Sequence, residues 1–127
     1  MTDQKTKVLI IEDEEMLVNM YISKFKKEGY LTEKATNGRV GLEQAKNIKP
    51  DIILLDIMMP EIDGFMVLKN LKADTDTKNI PVIMLTNLGQ EEDIKKGNQL
   101  GATDYLIKAN LTPAQVVEKV KKTLDKK

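Results

Sequence analysis

The chain has 127 residues, of which 41% are apolar and 31% charged, so it suits a single globular domain that can bury a core. Twenty basic residues balance twenty acidic residues, so no net positive charge draws the chain to nucleic acid. The absence of histidine and cysteine excludes disulfides, thiol or imidazole nucleophiles and a zinc site with histidine ligands.

The N-terminal segment lacks the long apolar region of a secretory signal. No apolar stretch approaches the roughly 20 residues that span a bilayer. We therefore expect a cytoplasmic protein without membrane insertion.

Five short apolar segments alternate with longer amphipathic ones along the chain. The short segments are rich in Ile, Val and Leu on both faces, which is typical of strands in a parallel sheet covered by helices on both sides. The predicted strands are Lys7–Glu12, Tyr30–Ala35, Asp51–Asp56, Pro81–Thr86 and Asp104–Lys108. The second segment is the most polar, which predicts an edge strand.

The amphipathic segments predict five helices between and after these strands. Their predicted bounds are Glu14–Glu28, Val40–Ile48, Gly64–Ala73, Glu91–Leu100 and Pro113–Leu124. Before the last helix, Thr112 and Gln115 have the spacing of a capping box. Several methionines on apolar stripes are predicted to fill the core: Met16, Met20, Met66 and Met84.

Strict alternation of strand and helix with short connections predicts an α/β fold with right-handed crossovers. We expect one domain over residues 1–127, a doubly wound, five-stranded parallel sheet with helices on both faces. A flavodoxin-like strand order, 2-1-3-4-5, would place the first and third strands on either side of the point where the order reverses, which is where ligands bind in such sheets.

Four of the predicted strands end in polar residues. Glu12 and Asp13 close the first strand, Asp56 the third, Thr86 the fourth and Lys108 the fifth. Clustered carboxylates repel one another unless a cation joins them, and Mg²⁺ prefers such oxygen ligands. A carboxylate can also attack phosphorus to form an acyl phosphate. The pattern therefore indicates a Mg²⁺-dependent phosphoryl site.

Taken singly, most of these residues also have a structural explanation. Asp13 suits the N-cap of the first helix, Thr86 an ordinary strand position and Lys108 an ordinary loop. Tyr105 suits the core. Asp56 fits a structural role less well, because the next helix begins well downstream of it. Only the joint occurrence of these residues favours the functional interpretation.

Four motifs carry a resemblance to a known family. They are Ile11-Glu12-Asp13-Glu14, Asp56-Ile57-Met58-Met59-Pro60-Glu61-Ile62-Asp63-Gly64, Leu85-Thr86 and Gly101-Ala102-Thr103-Asp104-Tyr105-Leu106-Ile107-Lys108. With these motifs in order at the strand ends, the chain resembles the receiver domain of bacterial response regulators, the CheY-like family, in its stand-alone form. The resemblance covers essentially the whole chain.

The resemblance implies a metal-dependent phosphoacceptor. Asp56 would accept a phosphoryl group from the phosphohistidine of a sensor histidine kinase or phosphotransfer protein. Asp13, Asp56 and the carbonyl group of Met58 would bind Mg²⁺ directly, and Glu12 would act through water. Such a protein is a signalling phosphoacceptor rather than an enzyme.

The resemblance also implies a switch. Lys108 would pair with the phosphoryl group or with Asp56, and Thr86 would donate a hydrogen bond to the phosphoryl oxygen. Tyr105 would turn inward into the space that Thr86 vacates. The fourth helix, fifth strand and fifth helix would then present a changed surface to a downstream protein, and the chain would be a monomer or a weak dimer on phosphorylation.

Two positions beside the site differ from the family pattern. Receivers commonly follow the lysine with a proline in a cis peptide bond, whereas Ala109 follows Lys108 here. Because a cis bond before a non-proline residue costs about 2.5–4 kcal/mol, this bond is either trans or held cis against that penalty. Asn87 stands where the family usually has a small residue, and we expect it to restrict access to the phosphoryl group.

Two further positions bear on the lifetime of the acyl phosphate. Met58 and Leu88 lie two residues after Asp56 and Thr86, where the family's residues influence that lifetime. Both are apolar and cannot orient a hydrolytic water. The sequence therefore predicts a comparatively long-lived phosphoaspartate.

Three other functions compete with this hypothesis. A Mg²⁺-dependent phosphatase with an aspartyl nucleophile usually carries a second acid two residues later, where this chain has Met58. A flavin or nucleotide module would need a glycine-rich loop after the first strand, and that loop is acidic here. A receiver that serves only as an interaction scaffold would not need the intact acidic set.

Overall fold

A parallel sheet with helices on both faces organises the computed structural model, which describes residues 5–125. Its strands are β1 (Lys7–Ile11), β2 (Leu31–Ala35), β3 (Ile52–Leu55), β4 (Val82–Thr86) and β5 (Asp104–Ile107). The helices are α1 (Glu15–Lys27), α2 (Gly38–Ile48), α3 (Gly64–Ala73), α4 (Glu91–Gln99) and α5 (Pro113–Asp125). Within residues 5–125, no helix combines the length and apolar character needed to cross a membrane.

The strand order is β2-β1-β3-β4-β5, and the paired strands are parallel. The predicted fold class and strand order are therefore confirmed, and β2 is an edge strand as expected. Every predicted helix and strand is present, with ends displaced by at most two residues. Most of the polar residues predicted to end a strand lie just beyond it instead, where their side chains are available to the site.

Helix caps account for some of these displacements. Asn37 accepts a hydrogen bond from the backbone N–H of Val40 through Oδ1 (2.9 Å), so α2 begins at Gly38, two residues before the predicted start. The predicted capping box before α5 is confirmed. Gln115 N–H donates to Thr112 Oγ1 (3.2 Å), and Thr112 N–H donates to Gln115 Oε1 (2.8 Å).

Two apolar layers enclose the sheet. Leu9 and Ile11 of β1 pack in the layer shared with α2 and α3, whereas Val8 and Ile10 face α1 and α5. All four side chains are almost completely buried. Alternation along a strand therefore supplies both layers, which explains why the strand sequences are apolar throughout.

The methionine prediction is wrong for most of its members. Met84 in β4 is fully buried, but the three methionines on helices are exposed, and Met16 is exposed to 87%. The exposed ones are Met16, Met20 and Met66. In α1 the buried positions are instead Val18, Tyr21 and Phe25. The stripe that packs on the sheet is offset from Met16 and Met20, so these side chains point away from it.

Candidate functional site

The carboxyl ends of β1 and β3 bring three acidic residues together. These strands are neighbours. From β1 the chain leads to β2 on one side, and from β3 it leads to β4 on the other side, so the point between β1 and β3 is where the strand order reverses. Carboxylate oxygens of Glu12, Asp13 and Asp56 all lie within 4.8 Å of one another. Hydrogen bonds just beyond the strands hold this register, since Asp56 N–H donates to the Ile11 carbonyl at 3.0 Å.

The carboxylate of Asp56 is buried and has hydrogen bonds to both oxygens. Only 5% of the residue is exposed. Oδ1 accepts hydrogen bonds from the backbone N–H groups of Ile57 (2.7 Å) and Met58 (3.4 Å). Oδ2 accepts one from Lys108 Nζ at 3.0 Å. Two backbone dipoles and one ammonium group therefore orient this side chain.

Lys108 bridges two of the three acids. Its Nζ donates to Glu12 Oε1 and to Asp56 Oδ2, and the side chain is only 9% exposed. Burial lowers the pKa of Lys108, but the hydrogen bonds and charges of the two carboxylates outweigh burial and raise it overall. The Lys108–Ala109 peptide bond is trans, so the lysine reaches Asp56 without a cis bond. A short 3₁₀ turn, Lys108–Asn110, follows β5 directly.

Glu12 is the most buried acid of the cluster. Burial raises its pKa to about 7, and the charge of Asp56 adds to this rise, whereas the hydrogen bond from Lys108 opposes it. Its Oε2 accepts a hydrogen bond from the N–H of Glu14 at 3.1 Å. The carboxylate thus lies between a backbone donor and an ammonium group.

Asp13 is exposed and does not cap a helix. The N-cap of α1 is Glu14, whose side chain makes no capping hydrogen bond. The structural explanation considered for Asp13 from the sequence is therefore wrong. Its carboxylate lies instead with those of Glu12 and Asp56.

The donor set suits a hard divalent cation. Three carboxylates meet one ammonium group, which leaves the cluster short of positive charge, and the raised pKa of Glu12 reflects its burial in this setting. Carboxylate oxygens are the ligands that Mg²⁺ prefers. The acidic cluster is therefore chemically compatible with the predicted magnesium ion.

Gly64 positions the loop that follows Asp56, a contribution that motif reasoning missed. Its N–H donates to the carbonyl oxygen of Ile57 at 2.9 Å. A Cβ atom at position 64 would lie 2.2 Å from the carbonyl oxygen of Asp56. Only glycine allows the start of α3 to approach the backbone of Asp56 so closely. The sequence signal for this role is that Gly64 directly follows Asp63, the N-cap of α3.

Thr86 and Tyr105 are joined through the backbone of Leu88. Thr86 ends β4 and is fully buried, and its Oγ1 accepts a hydrogen bond from Leu88 N–H at 3.3 Å. The Tyr105 hydroxyl donates to the Leu88 carbonyl at 2.6 Å, and its ring packs on Gly97 of α4. Burial raises the pKa of Tyr105 to about 12, so the hydroxyl keeps its proton at neutral pH.

These features define a class: a doubly wound α/β protein with an ionic site at the carboxyl ends of its central strands. Comparison with known proteins then places it within that class. Residues 8–121 match the response regulator receiver domain family. The chain therefore belongs to the response regulator receiver domain family.

Individual relatives agree with this assignment. Over 102 residues the chain is 38% identical to protein PilH of Pseudomonas aeruginosa, which covers 80% of this chain and 84% of PilH. It is 40% identical to the DNA-binding dual master transcriptional regulator RpaA of Synechocystis over 80% of this chain and 42% of that protein. The chain spans less than half the length of several curated relatives that it matches.

Solved structures share the fold. The CheY-like receiver domain protein of Methanospirillum hungatei superposes with a TM-score of 0.90 at 25% identity, over 97% of this chain and 96% of that one. The chemotaxis protein CheY4 of Vibrio cholerae superposes with a TM-score of 0.88 at 28% identity, over 94% and 99% of the two chains. The similarity thus extends over nearly the whole chain in both sequence and structure.

Proposed function

We propose that Asp56 accepts a phosphoryl group from the phosphohistidine of a histidine kinase or phosphotransfer protein. The observation that carries this proposal is the 3.0 Å pairing of Asp56 Oδ2 with Lys108 Nζ, in which the two side chains are only 5% and 9% exposed. Membership in the response regulator receiver domain family supports the same role. We take the receiver to extend over residues 1–127.

The chemical step is a transfer between two protein side chains. A carboxylate oxygen of Asp56 forms the new O–P bond while the P–N bond of the donor breaks, and the electron pair returns to the imidazole nitrogen. The Lys108 ammonium offsets the charge of Asp56 and of the arriving group. The same ammonium group also donates a hydrogen bond to Glu12 Oε1, so Glu12 and Asp56 share its positive charge.

The acidic cluster would hold the magnesium ion. Asp13, Asp56 and the Met58 carbonyl are the proposed direct ligands, with Glu12 acting through water. Bound there, Mg²⁺ supplies positive charge to the equatorial oxygens of the transferring group. Asp13 is the carboxylate of the three that solvent reaches, because it is exposed while Glu12 and Asp56 are buried.

Thr86 and Tyr105 are the proposed switch. Thr86 Oγ1 accepts a hydrogen bond from Leu88, so its own O–H remains able to donate to a phosphoryl oxygen. A shift of Thr86 toward the phosphoryl group would move Leu88, and with it the acceptor of the Tyr105 hydroxyl. The proposed output surface comprises α4, β5 and α5, and its reader is a downstream protein. Tyr105 belongs to β5 and its ring packs on Gly97 of α4.

A phosphatase function is disfavoured by one observation. The residue two positions after Asp56 is Met58, whose side chain is 60% exposed and has no ionisable group. It cannot act as the general acid that protonates a leaving group. The chain is therefore proposed as a phosphoacceptor and not as an enzyme acting on a separate substrate.

Phosphorylation by a small donor tests the assignment. The protein is incubated with Mg²⁺ and acetyl phosphate, and its intact mass is measured. We expect one added phosphoryl group on the wild type and none on Asp56→Asn. Asp76→Asn is the matched control, because Asp76 is an exposed aspartate in the loop before β4, at the amino ends of the strands and away from the site. An unlabelled wild type, or a labelled Asp56→Asn, would contradict the proposal.

A further inference from the structure

A hydrogen bond joins the two loops that follow β4 and β5. The backbone N–H of Ala109 donates to Asn87 Oδ1 at 2.9 Å. Asn87 directly follows Thr86, and Ala109 directly follows Lys108. The bond therefore connects the backbone next to the proposed switch hydroxyl with the backbone next to the site lysine.

We propose that Asn87 is a positioning residue for Lys108, and this inference rests on the proposed function of Asp56 and Lys108. Thr86 and Ile107 form the last register pair of β4 and β5. The Asn87 side chain supplies one further acceptor beyond that pair. It thereby continues the attachment between the two chain segments past the end of the sheet.

The local backbone shows why an added attachment matters here. Residues Lys108–Asn110 form a single 3₁₀ turn, closed by a hydrogen bond from Leu111 N–H to the Lys108 carbonyl at 3.2 Å. Such a turn fixes its own shape but not its placement against β4. The Asn87 bond and the packing of Ile107 against Gly89 provide that placement, since a Cβ at position 89 would lie 3.2 Å from Ile107 Cδ1.

Lys108 is sensitive to such placement. Its Nζ must reach Glu12 and Asp56 together through a side chain with several rotatable bonds. A displaced backbone at position 108 would break one contact or both. Asn87 and Ala109 are both exposed, so water can replace the lost hydrogen bond. Removing the bond should therefore disturb the lysine more than the stability of the protein.

The test combines Asn87→Ala with a control and a double-mutant cycle. We expect Asn87→Ala to slow labelling by acetyl phosphate and Mg²⁺ about fivefold, equivalent to about 1 kcal/mol, with an unchanged thermal midpoint. Asn110→Ala, an exposed asparagine in the same 3₁₀ turn, should label at the wild-type rate. In a Lys108→Ala background, Asn87→Ala should cause no further slowing.

Two outcomes of these labelling experiments would overturn the proposal. Faster labelling of Asn87→Ala would show that the asparagine only restricts access. Slowing of the same size with and without Lys108 would show that Asn87 acts independently of the lysine. In either case the phosphoacceptor role of Asp56 would still stand.

A measurement without phosphoryl transfer separates this inference from the proposed function. In the unphosphorylated protein, the Ala109 amide should exchange its hydrogen faster in Asn87→Ala, and the side-chain NMR signals of Lys108 should shift. Asn110→Ala should leave the Lys108 signals in place. Unshifted Lys108 signals in Asn87→Ala would refute the positioning role, whether or not Asp56 accepts a phosphoryl group.

Discussion

The Tyr105 hydroxyl donates a hydrogen bond to the carbonyl oxygen of Leu88, 2.6 Å away. The backbone N–H of Leu88 in turn donates a hydrogen bond to Thr86 Oγ1. One peptide segment of the β4–α4 loop therefore contacts both proposed switch side chains. The Tyr105 hydroxyl is bound to Leu88 in the unphosphorylated protein. The inward turn of Tyr105 on phosphorylation stays a prediction, and it would require a change in this hydrogen bond.

Tyr105→Phe should destabilise the protein by about 1 kcal/mol, because it leaves the Leu88 carbonyl without this donor. Urea unfolding would measure the change. Tyr30→Phe is the control, since Tyr30 is also half-buried and its hydroxyl makes no hydrogen bond to residues 5–125. Equal losses in the two variants would contradict a specific role for the Tyr105–Leu88 bond.

Glu12 should make the Mg²⁺-free protein less stable as pH rises. Its pKa is about 7 in the folded chain against 4.5 as the reference value, so the folded state holds the proton more tightly than the unfolded state. The stabilisation is complete below pH 4.5 and is lost as pH rises through about 7, a change on the order of 3 kcal/mol.

Urea unfolding in EDTA between pH 5 and pH 8 would measure this slope. Glu12→Gln should flatten it, whereas Glu43→Gln, at an exposed position on α2, should leave it unchanged. Added Mg²⁺ should stabilise the wild type more at pH 8 than at pH 5, because an ionised Glu12 attracts the cation and its bound water more strongly than a protonated Glu12. A slope that survives Glu12→Gln would assign the effect to another group.

Gly64→Ala should be strongly destabilising, by about 3 kcal/mol or more, because the new methyl group meets the backbone of Asp56. Gly89→Ala should cost less, since its Cβ would meet only the end of the Ile107 side chain. Thermal unfolding of both variants would test the difference. A well-folded Gly64→Ala that labels normally would show that the approach of α3 to the Asp56 loop can relax.

Polar residues at positions 58 and 88 should shorten the life of the phosphoaspartate. The wild-type side chains, Met58 and Leu88, cannot orient water, whereas a carboxamide can, and a positioned polar group commonly accelerates such a step tenfold or more, by about 1.4 kcal/mol. Intact mass followed over time after removal of donor would give the rate for Met58→Asn combined with Leu88→Gln. Met66→Gln, at another exposed methionine, is the control. Little or no acceleration would contradict the predicted long lifetime.

Local patterns were sufficient to predict most of the fold. Apolar runs in β1, β3 and β4 reveal buried strands because both of their faces are covered, and the capping box at Thr112 marks the start of α5. The same reasoning misplaced Met16 and Met20, because a short amphipathic segment does not determine which stripe will face the sheet.

The sequence by itself determined the elements, their order along the chain and the polar residues at the strand ends. These follow from signals between residues that are close in the chain. Only the tertiary structure decided that the Lys108 ammonium group contacts Glu12, which lies 96 positions away in the chain. It also decided the trans bond after Lys108, the close approach of Gly64 and the Asn87–Ala109 hydrogen bond. Such contacts depend on how distant segments pack, and packing is a property of the whole fold that no local pattern contains.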